Sequence, residues 1–328
     1  MQPHRPVHTA DRAPAVLRPR RQLHSRKGSR LAARYSPHQS PATGGPERAD
    51  QWDHSAMHGS AAIRAYGAGR LFATVLRLGW RPPGAVVDGG RVKPALVLLH
   101  SLLLGPVTWA PVAARLRALD AAAVVPSLVH VAAVGEPPFW PGVAAAVSDS
   151  VSQLPDGQPI VLVAHSNAGL VVPAVVPAAG RPVVGCLFVD ASLPSRSGPT
   201  PAASPERLAY LRSVATEGRL PQWTTWWEEE AVASLLPDPR TRSMVSAEQP
   251  RLPLSYYEQQ FPVPAGWDDR PCGYLLFGPP YDRMAQESRT RGWSVAEVPG
   301  GHLHQLVDPD AVTARILTIT ARWGSAAD

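Results

Sequence analysis

From Lys93 onward, short apolar runs alternate with stretches of helical period. Ala95–Leu99 is continuously apolar between Pro94 and His100, as expected of a strand covered on both faces. Ala121–Val125 reads the same way, and Ile160–Ala164, Val183–Val189, Gly273–Phe277 and Ser294–Val298 read as further strands. Between them, Trp109–Leu119 puts Trp109, Val112, Leu116 and Leu119 on one helical face. Val143–Leu154 predicts a second helix and Ala311–Trp323 a closing one. Asn167–Ala179 also has helical spacing, but Pro173 and Pro177 should bend or interrupt it. Strands alternating with helices imply right-handed crossovers, and so a doubly wound, mostly parallel α/β sheet.

Two regions break this pattern. Residues 191–267 carry Tyr210, Trp223, Trp226, Trp227, Tyr256, Tyr257 and Phe261 with no clear strand. An insertion after a sheet strand lies at the carboxyl rim, where such folds bind ligands, so this segment is expected to be a helical lid. Upstream, residues 1–56 are rich in Pro, Arg, His, Ser and Gly without a period of 2 or 3.6. Such a stretch buries too little apolar surface to offset its ordering entropy and is expected to be a disordered extension. Residues 57–92 predict a short helix and a linker, broken at Arg81-Pro82-Pro83-Gly84. The folded domain then spans 93–328.

Charge sharpens the division. The chain has 32 Lys and Arg against 26 Asp and Glu. Residues 1–50 hold ten of the basic groups and three of the acids, leaving 22 and 23 for the remainder. The body is electrically neutral, which argues against a nucleic-acid partner. No apolar stretch approaches the ~20 residues of a membrane span. The N-terminal charge is followed by no apolar segment of a secretory signal, so a cytoplasmic location is expected. Two cysteines make no disulfide framework, and Cys186, inside an apolar run, is expected to be a small buried hydrophobe. Six of the eleven histidines are scattered through the first 58 residues without metal-ligand spacing.

The chemistry concentrates around Val161-Leu-Val-Ala-His165-Ser166-Asn167-Ala168-Gly169, a strand, a tight turn centred on a serine, and a helix. Such an elbow exposes a serine hydroxyl above the sheet and needs small residues on either side, here Ala164 and Ala168. A serine requires a base. His302, in Val298-Pro-Gly-Gly-His302-Leu-His304, follows the last predicted strand and reaches the same rim, with His304 as the alternative. His165 is expected to pack in the core. Two acids compete to orient the base: Asp190, at the end of the strand Val183–Val189, and Asp282, after Phe277-Gly-Pro-Pro-Tyr281. Both satisfy the order Ser, acid, His; Asp190 is preferred because it attaches directly to a strand end. Backbone N–H groups of Leu102, in the loop Leu99-His100-Ser101-Leu102, and of Asn167 are the expected donors to a developing oxyanion.

From Pro94 to Trp323 the chain resembles the α/β-hydrolase superfamily, through Leu99-His-Ser101, Ala164-His-Ser-Asn-Ala168 and Gly300-Gly-His302. It looks most like small lidded esterase-type hydrolases with a strand-end Phe-Val-Asp-Ala segment, here Phe188-Val-Asp190-Ala191. It departs from the usual pattern at Ser101, Ala164 and Ala168, where glycine is customary. The resemblance implies a Ser-His-acid triad and no cofactor, and the tryptophans of the insertion suggest a small-molecule substrate with an apolar portion. Other classes on this fold are a ligand-binding protein without turnover and a lyase using the same serine and histidine.

Overall fold

The computed structural model of the chain describes residues 87–88, 91–134 and 136–323. The extension expected at 1–56 and the helix expected after residue 57 lie outside the described residues. At the end of the expected linker, β1 (Val87–Asp88) and β2 (Arg91–Val92) pair antiparallel.

The body follows in chain order as β3 (Ala95–Leu99), a 3-10 turn at Pro106–Thr108, α1 (Ala110–Ala118), β4 (Ala123–Val124), α2 (Val129–Val134), α3 (Trp140–Val151) and β5 (Ile160–His165). A 3-10 segment Ser166–Val171, a single α-turn α4 (Val172–Val175) and a second 3-10 turn Val176–Ala178 lead to β6 (Val183–Val189). The insertion then holds β7 (Thr200–Pro201), α5 (Pro205–Val214), α6 (Glu229–Leu235), α7 (Pro239–Glu248) and β8 (Gln260–Phe261). The chain closes through β9 (Cys272–Leu276), α8 (Asp282–Thr290), β10 (Ser294–Glu297), α9 (His304–Val307) and α10 (Pro309–Thr320). As Pro173 and Pro177 require, the segment after β5 is three short pieces rather than one helix.

Six strands pair in the order β10-β9-β6-β5-β3-β4, every neighbouring pair parallel. The chain moves outward from β3 to the edge strand β4, returns to place β5 on the other side of β3, and builds the rest of the sheet from there. The strand order therefore reverses between β3 and β5, and in such sheets ligands bind outside the carboxyl ends of the strands at such a reversal. Successive residues alternate between two cores. Val97, Leu99, Leu162, Ala164, Cys186 and Phe188 face α3 and the insertion. Leu96, Leu98, Val161, Val163, Leu187 and Val189 face α1 and α10. That double coverage explains the unbroken apolar runs. Cys186 is fully buried and stands in register with Cys272 on β9, both as free thiols.

Helices α2, α8 and α9 lie where no element is expected, and β4 keeps only part of the expected strand. Helix α8 escaped the apolar pattern because its buried positions are Ala285 and Ser288. The insertion is mainly helical, with Ser204 and Asp238 capping α5 and α7 through the N–H groups of Arg207 and Thr241, but it also holds the β7–β8 pair. It is tied to the sheet side. Glu248 Oε2 accepts from the Val107 N–H at 2.8 Å, and Gln259 Oε1 accepts from the Phe139 N–H at 3.1 Å. Among the described residues no helix is long and apolar enough to cross a membrane.

Candidate active site

Ser166 ends the run of β5 in the left-handed region, at φ 58°. A non-glycine residue there costs about 1–3 kcal/mol and persists only where its surroundings enforce it. The enforcement is visible. The Ser192 N–H donates to the Ser166 carbonyl at 3.1 Å, and Gly169 passes so close that a Cβ there would lie 2.1 Å from the Ser192 carbonyl oxygen. The elbow's indispensable glycine is thus three residues after the serine, whereas Ala164 and Ala168 fit fully buried.

His302 arrives on a loop that extends the β9–β10 ladder: Val298 N–H donates to the Leu276 carbonyl and Gly300 N–H to the Phe277 carbonyl. Asp190 leaves β6 at φ 43°, and its Oδ1 accepts from the Phe277 N–H at 3.0 Å. The backbone of one residue just after β9, Phe277, therefore engages both Asp190 and the loop that carries His302. His302 Nδ1 lies 2.7 Å from Asp190 Oδ2, and His302 Nε2 lies 3.0 Å from Ser166 Oγ. A carboxylate only accepts, so Nδ1 carries the proton and Nε2 presents its lone pair to the serine hydroxyl. All three side chains are buried. Tyr274 fixes the chain just beyond Asp190 by exchanging hydrogen bonds with both the N–H and the carbonyl of Ala191, each at 2.9 Å.

The alternatives stand elsewhere. Asp282 is the exposed first residue of α8, and His304 opens α9 with its ring edge-on to Phe277. His165 is fully buried, donates from Nε2 to the His302 carbonyl at 2.8 Å, and lies 4.6 Å from the His302 ring. Of the two expected oxyanion donors, the Leu102 N–H is engaged within the protein: it donates to Asn167 Oδ1 at 3.0 Å, an atom that also accepts from Ser101 Oγ at 2.9 Å.

Tyr281 and Trp223 are site residues that periodicity could not reveal. The Tyr281 ring stacks on His302 at 4.9 Å and 9°, and Trp223 of the insertion lies 6.3 Å from it. Burial holds the Tyr281 phenol well above its ordinary pKa, opposed by the neighbouring Ser166 hydroxyl. The only signal for Tyr281 was its place at the end of the loop after β9.

Two fully buried imidazoles, His100 and His165, are disfavoured in their charged form. Burial lowers His100 to about 4, while its ring donates from Nδ1 to the Ser101 carbonyl and accepts from the Leu128 N–H at Nε2. Burial, then the neighbouring His302, lowers His165 as well. Between the unfolded value near 6.5 and the folded value, only the unfolded chain binds these protons. Stability is therefore complete above about pH 6.5 and declines as the pH falls toward 4. For His100 alone, urea unfolding at pH 5 should show a loss of about 2 kcal/mol relative to pH 7.5. A His100→Gln variant should lack that share of the slope, and an identical slope would contradict the shift.

A parallel sheet with a strained serine beside its switch point is the build of an α/β hydrolase. The chain belongs to that family: residues 96–315 match the alpha/beta hydrolase family. No curated protein sequence matches it. Among solved structures it is similar to an extracellular α/β-hydrolase from a Paenibacillus species, at 16% identity and a TM-score of 0.54, covering 69% of this chain and 99% of that one. It is also similar to a methylesterase from Arabidopsis, at 14% and 0.50, covering 70% and 99%. Tomato methylketone synthase I, solved with 2-tridecanone, matches at 12% and 0.52, covering 71% and 100%. At these identities the likeness concerns the fold.

Proposed function

We propose that the protein is a cofactor-independent serine hydrolase that cleaves a carboxylic ester or related acyl compound. The observation that carries this reading is the continuous chain from Ser166 Oγ through His302 to Asp190. Ser166 attacks the carbonyl carbon while His302 Nε2 takes its proton, and Asp190 stabilises the imidazolium and holds the tautomer. His302 returns the proton to the departing alcohol, and water repeats the cycle on the acyl-serine. Residues 191–267 serve as a lid, with Trp223, Trp226 and Trp227 facing an apolar part of a small-molecule substrate. The 2-tridecanone bound by the tomato neighbour is a precedent for such a ligand on this fold. The cytoplasmic location remains the reading of the sequence.

A member of the fold that binds a ligand without turnover is the second reading, favoured by one observation: the engaged Leu102 N–H. Fluorophosphonate labelling separates them. The folded protein should be labelled at Ser166, with labelling abolished in Ser166→Ala. Intact protein that takes up no label would sink the hydrolase reading.

A further inference from the structure

The sequence departs from the common family pattern at Ser101, and the structure shows what stands opposite it. Asn167 is buried one residue after the nucleophile, and its carboxamide oxygen is held by the Ser101 hydroxyl at 2.9 Å and the Leu102 N–H at 3.0 Å. Ser101 Oγ in turn accepts from the Leu103 N–H at 3.2 Å. A backbone N–H can only donate, so the atom beside Leu102 is the oxygen and the orientation of the amide is fixed. Its Nδ2 must point the other way. There it reaches the Tyr257 hydroxyl at 3.4 Å, and its second hydrogen meets no acceptor among the described residues. This pin bridges the loop after β3 and the elbow after β5, across the reversal of strand order.

A buried amide whose NH₂ makes one long hydrogen bond and leaves one N–H unused is under-satisfied on its donor side. The residue carrying it is next to the nucleophile, and the backbone donor expected to bind a substrate oxygen is spent on holding it. We propose that the Asn167 carboxamide is itself an oxyanion donor, its Nδ2 hydrogen-bonding the substrate's carbonyl oxygen in place of the Leu102 N–H. Ser101 and Leu102 are then positioning residues: their bonds to Oδ1 fix the amide plane and polarise it toward donation. As the Ser166 Oγ–C bond forms, the carbonyl π pair moves onto oxygen and the serine proton passes to His302 Nε2. The Asn167 backbone N–H and Nδ2 receive the new anion. When the tetrahedral adduct collapses, the pair returns, the bond to the alcohol breaks, and His302 delivers the proton to the leaving oxygen.

This assignment rests on the hydrolase reading, and its test keeps the two apart. Turnover of a p-nitrophenyl butyrate ester and the rate of fluorophosphonate labelling are measured on the full chain and on two variants. Asn167→Ala removes the donor and frees Leu102. Asn167→Asp keeps an oxygen for both Ser101 and Leu102, preserving the pin, but presents no amide hydrogen. Both should lower kcat and the labelling rate by about 10²-fold, with KM changed less than about threefold and the melting temperature of Asn167→Asp preserved. Unchanged or faster reaction of either variant, beside an active parent, would overturn the carboxamide assignment alone, and a rate kept in Asn167→Ala but lost in Asn167→Asp would return the role to the freed Leu102 N–H. A parent that neither turns over nor labels would overturn the hydrolase reading and this assignment with it.

Discussion

Asp190→Asn is expected to cut turnover of a short-chain aryl ester by roughly 10⁴-fold while the protein remains folded. The reason lies in the other oxygen of the carboxylate. Asp190 Oδ1 accepts from the Phe277 N–H, and only an oxygen can stay there. In the variant the amide oxygen must keep that place, which turns the NH₂ toward His302 Nδ1 where Oδ2 now lies at 2.7 Å. Two donors cannot face each other, so the imidazole shifts its proton to Nε2 and meets Ser166 with an N–H instead of a lone pair. Asp282→Asn has no such lever. Asp282 is exposed in the first turn of α8, and losing its charge there should cost about 0.3–1 kcal/mol of stability, with turnover within about tenfold of the parent. Steady-state kinetics on both variants settles the choice, and the reverse ranking would move the acid to Asp282.

The second large effect is expected at Gly169. An added methyl would sit 2.1 Å from the Ser192 carbonyl oxygen, 3.1 Å from Phe188 Cδ1 and 3.2 Å from Ala191 Cβ. The nearest of these is backbone, and the Ser192 N–H is already committed to Ser166. Neither chain can retreat without moving the serine or the aspartate. Gly169→Ala should therefore destabilise by about 3 kcal/mol or more, at the upper end of overpacking. What folds should be slower by about 10²-fold, because a displacement near 1 Å between Ser166 and His302 is enough for that. Urea unfolding with parallel kinetics measures both. Parent-like stability would show that the close approach at residue 169 is not obligatory.

What the sequence reveals follows physical reach. β3, β5 and β6 are legible because burial on both faces leaves continuous apolar runs, and Ser166 and Asp190 at the ends of two of them, with His302 beyond the half-exposed edge strand β10, share a rim by topology alone. The preference between Asp190 and Asp282 depends on where α8 begins, and that helix is silent because Ala285 and Ser288 are its buried positions. The glycine required at 169 rather than 168 answers to Ser192, and the orientation of the Asn167 amide answers to Ser101, 66 residues away. Contacts between distant loops leave no period to read. The same holds for the backbone of Phe277, whose N–H and carbonyl hold Asp190 and the His302 loop whatever its side chain.

The attachments of the insertion bear on how such an enzyme could be re-engineered. Gly105 has no room for a Cβ because the Glu248 side chain fills that space, and the Val107 N–H next to it relies on the same carboxylate. Gln259 satisfies Phe139, and Tyr257 meets the Asn167 amide. The segment between β6 and β9 is therefore not an interchangeable cassette. A chimera that takes this stretch from a relative would leave the half-buried Val107 N–H of the loop after β3 and the Phe139 N–H ahead of α3 without their acceptors unless Glu248 and Gln259 are retained. Changes of specificity are better sought by substitution within the segment, at Trp223 and its neighbours, than by transplanting it.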